Sequence, residues 1–457
     1  MSKLIAGIAR ANITPPVGMM MSGYAARKTP AVGVHDELNT VALYLTDGET
    51  EAALITADIL GISGAGTARV REACNAASGV PGGNIFIAFS HTHGGPQTPL
   101  RRTDSVDELK EAYGTILVHK IAGALSEAKL NATPVRMGYG RQDCSIAVNR
   151  REHRLDGSIT IGVNHDGPTA PYTDVIRLDR VDTSEPLAML FSYASHGTTM
   201  GGTNFLYTAD YPGQAKRFVD KQFPTAVASF MAGCSGDINP YPRGEFHHVT
   251  RHGTRLGCAV VQAALDMEDM TEDVRIAVAR NEFKFPLEES PTLEEAKKKL
   301  AEVQEIADKE IERAQEAVGD EPVDKNKALG WFTAQSLRGA EALVEALENG
   351  EADLSIPAET QALAIGDCVI VGMPGEIFVN IGKAVAEASP FARTMSVSHA
   401  NGAVGYVPTG DQVPLGGYEV RQARASRYGI FIAADSDRML IDSAMTSVRK
   451  CYDLLNS

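Results

Sequence analysis

Cysteine, tryptophan, basic charge and long apolar runs are all scarce in this chain. Six cysteines (Cys74, Cys144, Cys234, Cys258, Cys368 and Cys451) are scattered through 457 residues. They form no C-x-x-C pair and no dense framework, so they read as reduced thiols rather than a disulfide scaffold. Cys258 and Cys368 have apolar neighbours and are expected in the core. No run of ~18 apolar residues exists that could span a bilayer. No sustained apolar stretch precedes Arg10 and Asn12, as a signal peptide would require. The expected setting is therefore the cytoplasm, without stable membrane insertion. The formal net charge is −15 and the pI about 5.3, which argues against a nucleic-acid surface and against adhesion to anionic membranes. Internal repeats, low-complexity tails and long flexible linkers are also absent.

What the chain has is apolar content, 44% of its residues, spread over a length beyond the usual single-core size. The first 90 residues alternate short apolar strands with turns. Val41–Leu45 and Ala52–Ala57 flank Asp47-Gly48, a strong hairpin signal. Residues 66–77 and 106–129 read as helices, the second with Leu109, Tyr113, Ile116, Leu117, Ile121 and Leu125 at helical spacing. Strands and helices interleave to about residue 280, which predicts an α/β fold with a mixed sheet.

Residues 288–350 differ. Thr292 with Glu295 has the form of a capping box opening a charged helix to about Ala317. A second helix is expected from about Asn326 to Asn349, with Gly350 as its stop signal. This αα-hairpin, dense in Glu/Lys pairs, reads as a solvated insertion between sheet segments; residues 362–371 then return to strand. One catalytic domain over 1–457, carrying that insertion, is the expected organisation.

The most informative stretch is Phe89-Ser90-His91-Thr92-His93-Gly94-Gly95-Pro96. It follows the buried-strand pattern Asn84-Ile85-Phe86-Ile87-Ala88. If the strand persists, His91 and His93 at i and i+2 share a face. Neutral imidazole is the commonest metal ligand and a general base near neutral pH. Four further motifs end apolar runs or sit between glycines: Ser195-His196-Gly197, Gly236-Asp237-Ile238-Asn239-Pro240, Met373-Pro374-Gly375-Glu376, and the tyrosines of Gly405-Tyr406 and Gly417-Tyr418. Each alone is compatible with an ordinary turn. Together they fit a site assembled at strand ends from distant segments.

Through these motifs the chain resembles the neutral, non-lysosomal ceramidases, zinc amidases that cleave the N-acyl bond of ceramide. The resemblance starts at Ala6-Gly7-Ile8-Ala9-Arg10-Ala11-Asn12-Ile13-Thr14-Pro15-Pro16 and Ser22-Gly23-Tyr24. It runs through His91-Thr92-His93, Asn149-Arg150, His196-Gly197-Thr198 and Gly236-Asp237 to Pro374-Gly375-Glu376 and Gly405-Tyr406-Val407-Pro408-Thr409. It implies a Zn2+ site of His91, His196, Glu376 and Tyr406, with His93, Arg150 and Tyr418 lining the pocket. Two imidazoles, a carboxylate and a phenol suit zinc, which makes water nucleophilic near neutral pH. His93 is then placed for proton transfer, and Arg150 or Tyr418 for holding a carbonyl oxygen as it gains charge.

Three departures bear on substrate. Asn239 stands where the family's ceramidases carry a catalytic serine, and an amide cannot do hydroxyl chemistry. Their immunoglobulin-like C-terminal domain and their secretion signal have no counterpart in this sequence. The expectation is a zinc-dependent hydrolase of an amide or ester, ceramidase-like but acting on something other than ceramide. Its substrate would be a small molecule with an acyl or sugar moiety. A carbohydrate-active metal hydrolase or lyase on the same scaffold is the alternative, motivated by Asn149-Arg150-Arg151-Glu152-His153-Arg154. A metal-binding protein without turnover is the third reading, motivated by Asn239. The sequence is compatible with a homo-oligomer, and it leaves open a second metal near Asp58, Asp210 or Asp237.

Overall fold

The computed structural model describes residues 3–101, 107–289, 291–319, 323, 328–351, 353–423 and 428–457. Within them two sheets pack face to face, and helices cover both outer surfaces. The larger sheet has eight strands in the spatial order 227–232, 186–193, 172–180, 133–143, 5–12, 39–46, 51–57, 85–89. Its two outermost pairs, 186–193 with 227–232 and 51–57 with 85–89, run parallel, and the strands between them are antiparallel. The smaller sheet orders 276–285, 356–365, 368–372 and 393–397, its last pair parallel.

Strand periodicity explains the layering. Along Asn39–Thr46, Val41, Leu43 and Leu45 point inward to meet Leu363, Ile370, Met395 and Val397 of the smaller sheet. Ala42 and Tyr44 point the other way, into the helices Gly64–Ser78 and Glu108–Leu130 through Val70, Leu117, Ile121 and Leu125. The helices Asp210–Gln222 and Phe246–Leu265 cover the remainder of that face, packing Tyr211, Val219, Leu256 and Val260 on Met189, Phe191 and Phe230. The far face of the smaller sheet buries Val369 and Val371 under the helices Val379–Ala388 and Ser436–Asn456.

The expected hairpin about Asp47-Gly48 is present, with Thr46 opposite Glu51 and Gly48 at φ 91°. The helical insertion comprises Leu293–Val318, with the Thr292/Glu295 capping box formed, and Trp331–Glu348. The predicted start near Asn326 falls outside the described residues, as does Val106 at the start of the earlier helix. The hairpin joins strands 276–285 and 356–365, which themselves pair from Phe285↔Ile356 to Ile276↔Ile365.

Residues 362–371 are strand as expected, divided between two antiparallel strands that turn at Gly366, whose φ of 60° favours glycine. One expectation is corrected. Cys258 is exposed, because apolar neighbours in sequence point elsewhere on its helix; Cys368 is buried as expected.

Candidate metal centre and active site

Each parallel strand pair ends at the same place, and the site residues follow those ends. Strand Ile85–Phe89 delivers His91 and His93, and Pro186–Tyr193 delivers His196. Val227–Ala232 leads to Asn239, Cys368–Gly372 to Glu376, and Arg393–Val397 to His399 and Tyr406. Open α/β sheets place their sites at the carboxyl ends of strands for this topological reason.

His91, His93 and His196 have ring nitrogens all within 4.8 Å of one another. Strand alternation does not cause the first pair to converge. The strand stops at Phe89, and His91 adopts a left-handed φ of 53°. Such a conformation costs about 1–3 kcal/mol and persists only where neighbours over-determine it. Here Thr92 bridges to Gly197, the His93 amide donates to the Gly197 carbonyl at 2.9 Å, and the Thr92 hydroxyl donates to the Thr208 carbonyl at 2.7 Å. The turn, not the pleat, brings His93 Nε2 to 3.3 Å from His91 Nε2.

The second ring nitrogens decide what the first can do. His91 Nδ1 lies 2.7 Å from the Leu60 carbonyl, and His196 Nδ1 lies 2.7 Å from the Ser235 carbonyl. A carbonyl only accepts, so each Nδ1 carries the proton and each Nε2 presents a lone pair. Glu376 Oε2 sits 3.1 Å from His196 Nε2 and 3.7 Å from His91 Nε2. Acceptor faces acceptor, in a region where His91 and His196 are fully buried. A divalent cation satisfies this donor set, and metal-ligating imidazoles usually donate their other ring N–H to such a carbonyl. His93 differs: among the described residues its Nδ1 is buried without a partner, so it lacks the anchor that the other two possess.

Glu376 and Tyr406 are register partners in a two-stranded parallel ladder. Burial pushes the Tyr406 phenol well above its ordinary pKa. Burial would also raise Glu376, and it is His196 and His91 in their protonated forms that outweigh it and hold the carboxyl well below its usual range. Burial lowers His196 to about 4 and carries His93 well below an ordinary imidazole. All three imidazoles of the cluster are thus close at hand with Glu376, and His93 is neutral at pH 7.

Arg150 is almost fully buried. It donates to Glu419 (2.7 Å), to the Tyr406 hydroxyl oxygen (2.9 Å) and to Asn239 Oδ1 (3.3 Å). Burial works against its charge, yet Tyr406 and Glu419 hold its pKa above the usual value. Arg151 donates to the other oxygen of the same carboxylate at 2.8 Å. Neighbouring residues on a regular strand would point apart. An irregularity in register between Asn149 and Arg151 brings both guanidiniums to one side. Within the segment that motivated the carbohydrate alternative, Arg150 and Arg151 are both buried and share Glu419.

Asn239 lies in a short strand rather than a turn, and its Oδ1 also accepts from Thr198 at 3.1 Å. Tyr418 opens a short helix, with its ring 5.9 Å from that of Tyr406; burial lifts its phenol to about 12. Asp58 is locked to Lys216 at 2.7 Å, Asp210 accepts backbone amides of Thr199, Met200 and Tyr211, and Asp237 accepts from Asn149 and the Val379 amide. These partners give all three aspartates structural work away from the histidine cluster.

Three residues of the site were given no role by the sequence reading, although Gly23 stands in its Ser22-Gly23-Tyr24 motif. His399 stacks on His91 with ring centroids 3.6 Å apart and planes 12° from parallel. It follows the strand Arg393–Val397, whose sequence Arg-Thr-Met-Ser-Val is too polar to read as a buried run, so the pattern that marked His91 and His196 gave no signal here. Glu419, next to Tyr418, carried no signal beyond its charge. Gly23, at φ 92°, lies where an added Cβ would come 2.5 Å from the His93 ring, so its role is to let Tyr24 pack edge-on against His93 at 5.0 Å.

Residues 4–321 match a family model described as neutral/alkaline non-lysosomal ceramidase, N-terminal. A neutral ceramidase of Drosophila melanogaster is 28% identical over 261 residues, 51% of this chain and 36% of that protein. Neutral ceramidase B of Dictyostelium discoideum is 26% identical over 228 residues, 45% of this chain and 31% of its own length. The chain therefore aligns with only about a third of these relatives. The crystal structure of neutral ceramidase from Pseudomonas aeruginosa superposes with a TM-score of 0.69 at 17% identity, covering 98% of this chain and 75% of that one. A ceramidase complexed with C2 gives 0.71, also at 17% identity. At that identity the likeness is one of fold.

Proposed function

Because the chain belongs to the neutral/alkaline non-lysosomal ceramidase family, we propose that it is a zinc-dependent hydrolase that cleaves an amide bond, or the related ester, with water. The observation that carries this reading is the meeting of His91 Nε2, His196 Nε2 and Glu376 Oε2, with both Nδ1 protons committed to backbone carbonyls.

In this reading His91, His196, Glu376 and Tyr406 hold the ion. When bound, zinc supplies Lewis acidity and lowers the pKa of water toward neutrality. His93, neutral and without a partner at Nδ1, takes a proton from the attacking water and returns it to the departing nitrogen. The carbon–nitrogen bond breaks, and carboxylate and amine leave. Arg150 stays cationic and, with Tyr418, holds the carbonyl oxygen as it gains charge. Asn239 braces Arg150 through its Oδ1, which leaves its amide N–H groups to bind substrate.

Ceramide is not the proposed substrate, since an amide side chain at 239 supplies no hydroxyl. The proposed partner is a small acyl-bearing molecule, handled in the cytoplasm by one catalytic domain over 1–457. The alternative of a carbohydrate-active enzyme drew on the arginine-rich segment, whose buried guanidiniums are already paired. Zinc analysis of the purified protein and product analysis on N-acyl amides including ceramide, on esters and on acidic glycans test the proposal. Amide or ester cleavage that vanishes in Glu376→Ala supports it and removes the reading without turnover. Cleavage of glycans alone overturns it, and efficient turnover of ceramide overturns the substrate assignment.

A further inference from the structure

We propose that His399 is a positioning residue that fixes the plane of the His91 ring, and through it the strength with which the centre holds its metal. The inference rests on the metal-centre reading above and adds to it a residue outside the ligand set.

Both rings are buried, and they lie face to face, 3.6 Å between centroids and 12° from parallel. The hydrogen bond to Leu60 and the edge-on rings of His93 and His196 restrain the rim of His91, while a flat neighbour stacked on its face fixes its plane. An aliphatic side chain would fill the space without imposing a plane.

His399 itself is held from both sides. Its amide donates to the Gly375 carbonyl at 3.0 Å, one residue before Glu376. Ser398 donates its hydroxyl to the Gly233 carbonyl at 2.7 Å, and Ala400 bridges to Ala88. Asn401 closes the loop: its Oδ1 accepts from the Ile87 amide at 3.0 Å, and its Nδ2 donates to Gln361 at 2.7 Å. Residues 398–401 are thus stapled to the strand that delivers His91 and to the loop that delivers Glu376. His399 and His91 share the same left-handed φ of 53°. Residues are held in that region where geometry outweighs backbone preference. Among the described residues the His399 Nε2 is buried without a hydrogen-bond partner, so no bond of that atom explains the ring's placement.

The test compares His399→Ala and His399→Phe. Both keep a Cβ at the same φ, so backbone strain is common to them, and only Phe restores a flat ring. Zinc affinity is measured with the metal alone, by competition against a chromophoric chelator, and thermal melting of the metal-free proteins checks the fold. His399→Ala is expected to weaken zinc binding about 10–100-fold, the usual effect of losing a residue that orients a ligand. His399→Phe is expected to recover most of that loss. Wild-type affinity in His399→Ala would overturn the inference alone, and so would a Phe variant as weak as Ala. Failure of the unsubstituted protein to bind zinc would overturn the metal-centre reading itself.

Discussion

Glu376 and Tyr406 face each other as register partners in a two-residue parallel ladder, while Arg150 donates to the Tyr406 hydroxyl oxygen from the other side. The phenol is therefore a hinge between the cluster of histidines and the cationic wall of the pocket.

Tyr406→Phe keeps the ring and removes the oxygen. Arg150 retains Glu419 and Asn239, so the fold should stand. Zinc affinity should fall about 10–100-fold, as expected for a lost oxygen partner at a metal site. Competition with a chelator of known affinity measures it, and unchanged affinity would exclude Tyr406 from the ligand set.

Removing the metal should abolish turnover, and adding back about one zinc per chain should restore it. His91→Ala, His196→Ala and Glu376→Ala should each lose both zinc and activity while far-ultraviolet circular dichroism is retained. Elemental analysis beside an activity assay is the measurement. A variant that keeps full activity without metal would contradict the assignment.

The metal-free protein should lose stability on mild acidification. Burial holds His196 near 4 and His93 and His399 well below 6.5, against an unfolded value near 6.5. The unfolded chain then binds more protons than the folded one, so stability is complete above about pH 6.5 and falls as pH drops toward 4. Asp237 and Asp210 oppose this, because burial raises both, Asp237 to about 6, and each weakens the fold as pH rises from 3.8 toward its folded value. Burial also lowers His252, and the expected balance is a net loss on acidification, readable as a falling melting temperature.

Asn239→Ala removes the acceptor shared by Arg150 and Thr198. A buried donor left unpaired costs about 1–3 kcal/mol. If that cost falls on the pocket's alignment, kcat/KM drops about 10–100-fold, since each 1.36 kcal/mol is tenfold. Asn239→Ser retains one acceptor and should recover part of the loss. Equal activity in all three proteins would remove Asn239 from the machinery.

Asp58→Ala leaves Lys216 charged and buried. Breaking such a pair costs about 3–5 kcal/mol, visible in denaturant unfolding. Zinc content should stay the same. A fall in stoichiometry would instead make Asp58 a ligand of a second ion.

Much of this site was legible in the chain because its residues follow a repeated local pattern: an apolar strand, then a polar residue among glycines. His91, His196 and Glu376 were found that way. Tyr406 was marked by the glycine before it, but its part as a ligand, like the place of Arg150, came only through family resemblance, since a tyrosine after a glycine and an arginine on a strand have no metal-binding signature of their own. Glu419 was illegible because its role comes from two arginines far away in sequence, brought together by a break in strand register. His399 did not fit the pattern, because Arg393–Val397 is a half-polar strand and Ser398 and Ala400, not glycines, flank the ring. The second sheet was hidden for a different reason: its strands look like any others until their inward faces are seen to meet Val41, Leu43 and Phe86.

His91, His93 and His196 follow strands of the larger sheet, whereas Glu376 and Tyr406 follow strands of the smaller one and pair in a two-residue ladder of their own. On a ribosome, three imidazoles emerge long before any carboxylate can join them. The centre cannot close until the second sheet docks, so ion capture becomes a late checkpoint that reports completed folding. Once held, the ion ties the two sheets together, and free zinc should fuse their melting into a single cooperative step at higher temperature.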